Sequence, residues 1–190
     1  MPNVFDTINV KKGDQEKSYK WYQDQIKDLG TISGSNILRT SGAKSLTNNI
    51  VFGNMYLFLY DPKHKETLPY YDRLPLVLPF NSAKDGFLGI NLHYLPYLVR
   101  FRILGALTDY AVNSNVSEKT RIQISWKILS SSARLAPVTA CVKHYLFDHV
   151  KSRFLKIRYN DWITASQLPI EQFAKAKKTT VWNETRKKYT

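Results

Sequence analysis

The sequence predicts an α+β fold: a small antiparallel sheet, open or barrel-like, then a three-helix segment, with extended arms at both ends. Three observations predict it. Apolar runs bounded by turn residues crowd into residues 54–92. Patterns of period three to four follow, from 95 to 150. Strands first and helices after them argue for α+β over alternating βαβ units. The division expected is an N-terminal arm over 1–14, a body over 15–158 and a basic C-terminal arm over 159–190.

Residues 1–14 show no sustained period and read as an extended arm. Tyr19, Tyr22, Ile26 and Leu29 then recur at spacings of three and four, predicting a helix over 16–29 with Gly30 ending it. Residues 31–53 are rich in Ser, Gly, Asn and Thr and read as loop with at most short strands. Asn54–Tyr60 is apolar or aromatic on both faces until Asp61-Pro62 breaks it, so a strand there needs cover on both sides. Leu74–Phe80 is a second apolar run framed by Pro75 and Pro79. Proline cannot donate to a ladder, so this strand is expected to be short or to lie at an edge. Gly86–Leu92 makes a third, with glycines that allow a bulge.

The first of the three helices, over 95–112, places Leu98, Phe101, Leu104, Leu107 and Ala111 on one face. The second is expected over 115–134, with Asn115 and Glu118 as a capping box and Ile122, Trp126, Leu129 and Ala133 inward. Pro137 suits the start of the third, to about 150, with Val138, Cys141, Tyr145 and Val150 inward. The tail from 156 has no long helical period, and its Trp162, Leu168, Ile170, Phe173, Val181 and Trp182 stand among lysines. Such anchors on a basic segment suit an arm that grips a neighbour.

Composition narrows the function classes. The 190 residues are 43% hydrophobic and 13% aromatic, too rich in large apolar side chains for a disordered chain. No run approaches the roughly 20 apolar residues of a membrane span, and the first residues lack the pattern of a secretion signal. A soluble, intracellularly made protein is expected. Lys and Arg total 28 against 15 Asp and Glu, a net charge of +13. From 141 onward eleven bases face four acids, whereas the first thirty residues balance. A polyanion or an acidic protein partner is the reading this favours.

Catalytic signatures are weak. Cys141, the single cysteine, precedes His144 by one helical turn, but its apolar neighbours point to an inert buried thiol. His144 and Asp148 are only two metal ligands, His93 reads as a hydrogen-bonded structural residue, and His64 as part of an exposed basic turn. No phosphate-cradling glycine loop or nucleophile elbow is present. Asp61, Glu66, Asp72 and Asp85 form the densest acidic group, and Asp61-Pro62-Lys63 is similar to a nuclease acid-x-lysine ending. The proline and the missing partner spacing count against it. No metal or cofactor is expected.

The runs Tyr60-Asp61-Pro62-Lys63-His64-Lys65, Leu68-Pro69-Tyr70-Tyr71-Asp72-Arg73 and Pro75-Leu76-Val77, with Gly86–Pro96 and Arg100, carry a resemblance. They resemble a family of small virion-associated structural proteins of T-even-type contractile-tailed bacteriophages. Cys141–Leu146 and Leu168–Phe173 extend it. The resemblance implies a virion part of the tail, baseplate or neck, without catalytic motifs.

The leading expectation is therefore a non-enzymatic structural subunit that binds other phage structural proteins within a symmetric oligomeric assembly, away from membranes. Trp162, Phe173, Trp182, Arg186 and Lys187 are its expected arm anchors. The alternative is a DNA-binding protein such as a DNA-end protector, using Lys63, Lys65, Lys177, Lys178 and Lys188. A metal-dependent nuclease is the third.

Overall fold

The computed structural model describes residues 3–13, 16–112, 117, 120, 127–128 and 138–188. Seven α-helices and eight strands are defined there. In chain order they are α1 (Val4–Lys12), α2 (Tyr19–Asp28), α3 (Gly34–Thr40), β1 (Leu46–Thr47), β2 (Met55–Leu57), β3 (Tyr71–Asp72), β4 (Leu76–Ala83) and β5 (Gly86–Asn91). Then come α4 (Tyr97–Val112), α5 (Val138–Cys141), β6 (Val142–Leu146), β7 (Phe154–Ile157), α6 (Trp162–Gln167), β8 (Phe173–Ala174) and α7 (Lys178–Lys187).

Six strands form one antiparallel sheet in the order β1-β7-β2-β4-β5-β6, and β3 pairs with β8 in a separate two-stranded ribbon. The large sheet is open, with β1 and β6 at its edges, so the barrel-like alternative is set aside. Strand alternation explains the doubly apolar run at 54–60. Met55 and Leu57 point into the main core with the helices, while Tyr56, Phe58 and Tyr60 join Val77, Phe87, Tyr145 and Phe154 on the opposite face. Phe58 lies edge-on to Tyr145 and Phe154 at centroid distances of 5.4 and 4.9 Å, the offset geometry aromatic quadrupoles favour.

Leu76–Ala83 is a central strand, not the short or edge strand the prolines suggested. The register between β4 and β5 shifts between Pro79 and Asn81. Pro79 sits at that bulge, where a missing N–H leaves no gap in the ladder. Gly89 opposite is required by close approach, because a Cβ there would lie 2.3 Å from Val77 Cγ1.

Four further expectations are corrected. The N-terminal arm is helical: Asn3 caps α1, and Phe5 and Ile8 are buried. Residues 31–53 contain α3, capped by Ser33, besides the short β1. The helix expected from Pro137 to about 150 ends at Cys141, and the chain runs on as β6 against β5. Gly86 makes that pairing tight, since a Cβ on it would strike the Tyr145 carbonyl. The basic tail is no extended arm, because Trp162, Leu168, Ile170 and Val181 are in the core. The helix expected over 115–134, with its Asn115–Glu118 capping box, lies outside the described residues save Ser117, Thr120, Lys127 and Ile128.

Of two further helices, one matches its pattern and one departs from it. α2 buries Tyr22 and Ile26, and Gly30 follows it at φ +69°, a left-handed position that suits glycine. α4 buries Leu104 and Leu107, but its inward face is rotated from the expected one: Arg100 is buried and Leu98 is exposed.

Candidate nucleic-acid interface

The tail is locked to the body by a buried polar network. Asp72, at the end of β3, accepts from His93 Nδ1 at 2.7 Å, Asn91 Nδ2 at 3.2 Å and Leu74 N at 3.0 Å. Burial pushes the Asp72 carboxyl up, but the adjacent His93 and these donors outweigh it and hold the group below the usual carboxylate range. Arg100 is fully buried. It donates to the carbonyls of Leu95, Ser166 and His93 at 2.6, 2.9 and 3.2 Å and pairs with Glu171 at 2.6 Å. The His93 carbonyl also accepts from Trp182 Nε1 at 2.9 Å. One short segment therefore holds β3, α4 and α7 together.

These contacts decide the fate of the expected arm anchors. Trp162 is buried in this chain's own core and donates to the Ile157 carbonyl at 3.2 Å. Phe173 packs against Tyr70 and Tyr94, and Trp182 stacks edge-on to Tyr97. Only Arg186 and Lys187 of the five are exposed. Lys178 is turned inward too: it donates to the Tyr97 hydroxyl at 2.8 Å and lies over the Tyr97 and Trp182 rings. Lys188 is exposed near Lys143 and Cys141, far along α7 from Lys177.

The remaining lysines come together. Pairing of β3 with β8 sets Tyr71 opposite Ala174 and Asp72 opposite Phe173. Just beyond, Lys175 has φ +68° and sends its ammonium to the carbonyls of Lys65, Glu66 and Leu68 at 2.5, 2.9 and 3.2 Å. That staple ties the stretch that leads to Lys177 to the turn carrying Lys63 and Lys65, more than a hundred residues away in sequence. Lys65 is partly neutralised by Asp61 at 3.0 Å; Lys63, Arg73 and Lys177 are exposed.

A second group of cations was not singled out from the sequence. Arg39 ends α3, Lys44 lies in the following 3-10 turn, and Arg153, Lys156 and Arg158 flank or belong to β7. They line the β1/β7 margin of the sheet, where Leu46 pairs with Leu155. From Arg153 to Arg158 is about 17 Å of strand, roughly the axial rise of five base pairs. The two groups are joined by backbone bonds from Lys151 N to Leu59 O and from Asp61 N to His149 O. The signal was in the excess of bases after 141, but no local pattern could say that 39–44 lies beside them.

The acids considered for a nuclease do not converge. Asp72 is engaged with His93, Asp61 with Lys65, and Asp85 sits in the β4–β5 hairpin turn. Among the described residues no group of three or more His, Cys, Asp or Glu could hold a metal ion. His144 and His149 bond to the carbonyls of Lys84 and Asp61. Cys141 is buried, and desolvation pushes its thiol up to about 12. No described helix is long and apolar enough to cross a membrane.

The family model of the phage T4 terminal DNA protecting protein matches residues 6–189. The chain belongs to that family. The resemblance to T-even phage proteins is thereby borne out. Protection of terminal DNA is what characterises the family, and it gives no support to a place in a contractile tail or baseplate. No curated protein and no solved structure matches the chain.

Proposed function

We propose that this phage protein binds the ends of linear double-stranded DNA and shields them, as a non-enzymatic component that accompanies the DNA in the virion. The observation that carries the reading is that cation-bearing segments distant in sequence, 39–44, 63–73, 151–158 and 175–177, are tied to one another by strand pairing, the Lys175 staple and backbone bonds. Membership of a family described as protecting terminal DNA supports it. Clustered Lys and Arg release counterions from a duplex and supply its salt-sensitive affinity. Rigidity comes from the buried Asp72–His93 and Arg100–Glu171 pairs, which fix the stapled tail against the sheet.

The test compares linear duplex with covalently closed circles. Binding at about 50 mM salt and slowed digestion of the linear duplex by a double-strand exonuclease are expected. Equal indifference to both DNAs would end this reading.

A further inference from the structure

Phosphate contacts explain affinity for a duplex but not a preference for its end, because every phosphate along the helix offers the same charge. An end differs in its terminal nucleoside, which is stacked on one side only. The fold offers a place for it. β1 is two residues long, and its pairing with β7 stops at Leu46↔Leu155. Residues 43–45 then leave the strand as a 3-10 turn. The stretch Lys156–Arg158 beyond that pairing, the first turn of α1 and the end of α3 enclose an open polar cleft of about 360 Å³. That volume falls in the range of small-molecule sites.

The lining is not that of a phosphate site. Arg158 donates from Nε to Asp161 at 2.6 Å and from Nη2 to Asp6 at 2.9 Å. Asp161 is further held by Asn9 Nδ2 at 2.6 Å. The two cations of the cleft, Lys156 and Arg158, are thus matched by two carboxylates, and a dianion entering would meet both acids. A neutral planar group with donors and acceptors on its edge meets no such opposition. Carboxylates accept from base amino groups, and a guanidinium donates to purine or pyrimidine acceptors. Lys44 stands between Gly42 and Ser45 of the lining, and Arg153 donates to the Leu46 carbonyl next in the chain, so a duplex held by those two cations brings its terminus to the cleft.

The geometry points to this cleft as the receptor for the terminal nucleoside of a duplex end, frayed from its partner. The inference rests on the DNA-end reading and adds what makes an end distinguishable. Taking a base out of a duplex is least costly where it is already poorly held by its partner.

Gly42 provides the test. It lines the cleft, its φ of −58° is open to any residue, and a Cβ on it meets nothing within 4 Å. Gly42→Phe adds a bulky ring at the cleft wall on a backbone that accepts a Cβ, and Gly42→Ala serves as the mild control. The full chain is titrated with duplexes carrying 2-aminopurine at the terminal or an internal position, with and without a 5′-phosphate, and with a closed dumbbell lacking ends. Wild type and Gly42→Ala are expected to raise terminal but not internal fluorescence, regardless of the 5′-phosphate, and to prefer the open duplex at least tenfold. Gly42→Phe, with unchanged circular dichroism and melting temperature, is expected to lose both the terminal signal and the preference. Bound duplex with a silent terminal base, a signal indifferent to Gly42→Phe, or a strict need for the 5′-phosphate overturns the cleft assignment while leaving DNA binding intact. Failure to bind any duplex at about 50 mM salt removes the DNA reading, and this one with it.

Discussion

His93 and Asp72 meet at 2.7 Å with their side chains 0% and 1% exposed, and through them the ribbon that carries the tail is fastened to the sheet. Asp72 also accepts from the backbone of Leu74 and, at 3.4 Å, of Gln172, so one carboxylate serves β3, β5 and the approach to β8. Removing one partner of such a buried pair strands the other without solvent. Asp72→Ala is expected to cost about 3–5 kcal/mol, read from the urea midpoint at constant m.

The same network sets an acid limit. Burial raises the Asp72 and Glu171 carboxyls, yet His93 beside the first and Arg100 beside the second hold both below their ordinary values. A depressed folded-state pKa gives stability that is full above the unfolded value near 4 and is lost as pH falls through the folded value. Stability should therefore decline below about pH 4, and Arg100→Met should flatten that decline while lowering stability at neutral pH. An unchanged pH profile in Arg100→Met would contradict the assignment.

Truncation after residue 160 removes Trp162, Leu168, Ile170 and Val181 from the core. Each large core side chain is worth about 2–5 kcal/mol, and the loss of four is comparable to the whole ~5–15 kcal/mol that keeps a domain folded. The shortened chain should lack a cooperative melting transition in calorimetry. A folded product would restore the tail as an independent arm.

Lys44, Lys63 and Lys177 are exposed on the two joined basic groups. Each replacement by Ala should weaken duplex binding and lower the slope of log affinity against log salt by about 1 for every phosphate no longer neutralised. Stability should stay within the roughly ±0.5 kcal/mol expected of surface changes, read from the melting temperature. Lys27→Ala on α2, which packs against α6, should leave the slope alone.

Cys141 should resist thiol reagents in the folded protein. A thiol pushed from 9.0 to about 12 holds on the order of 1000-fold less thiolate at mildly alkaline pH. Its labelling rate should rise by at least that factor in denaturant, which makes it a reporter for the variants above.

Much of the centre was legible because its signals are local. Met55–Tyr60 alternates two buried faces, Gly86–Asn91 carries glycines where strands close on each other, and α2 shows its stripe at Tyr22 and Ile26. Arg100 broke the pattern on α4, since its buried guanidinium is satisfied by the His93 and Leu95 carbonyls just before the helix and by Ser166 and Glu171 from far along the chain. β6 was misread because Val138, Cys141 and Tyr145 fit a helical spacing by coincidence, and pairing with β5 overrides it.

The α+β class, the excess positive charge and the family resemblance were all readable in the chain before folding, because composition and short-range periodicity are written residue by residue. Where the charge acts is a property of the folded molecule. Lys175 reaches back to residues 65–68, and β7 lies beside the segment that carries Lys44. Coulomb attraction for a polyanion depends on distances between cations, and distances between remote segments exist only once the chain has closed its hydrogen bonds.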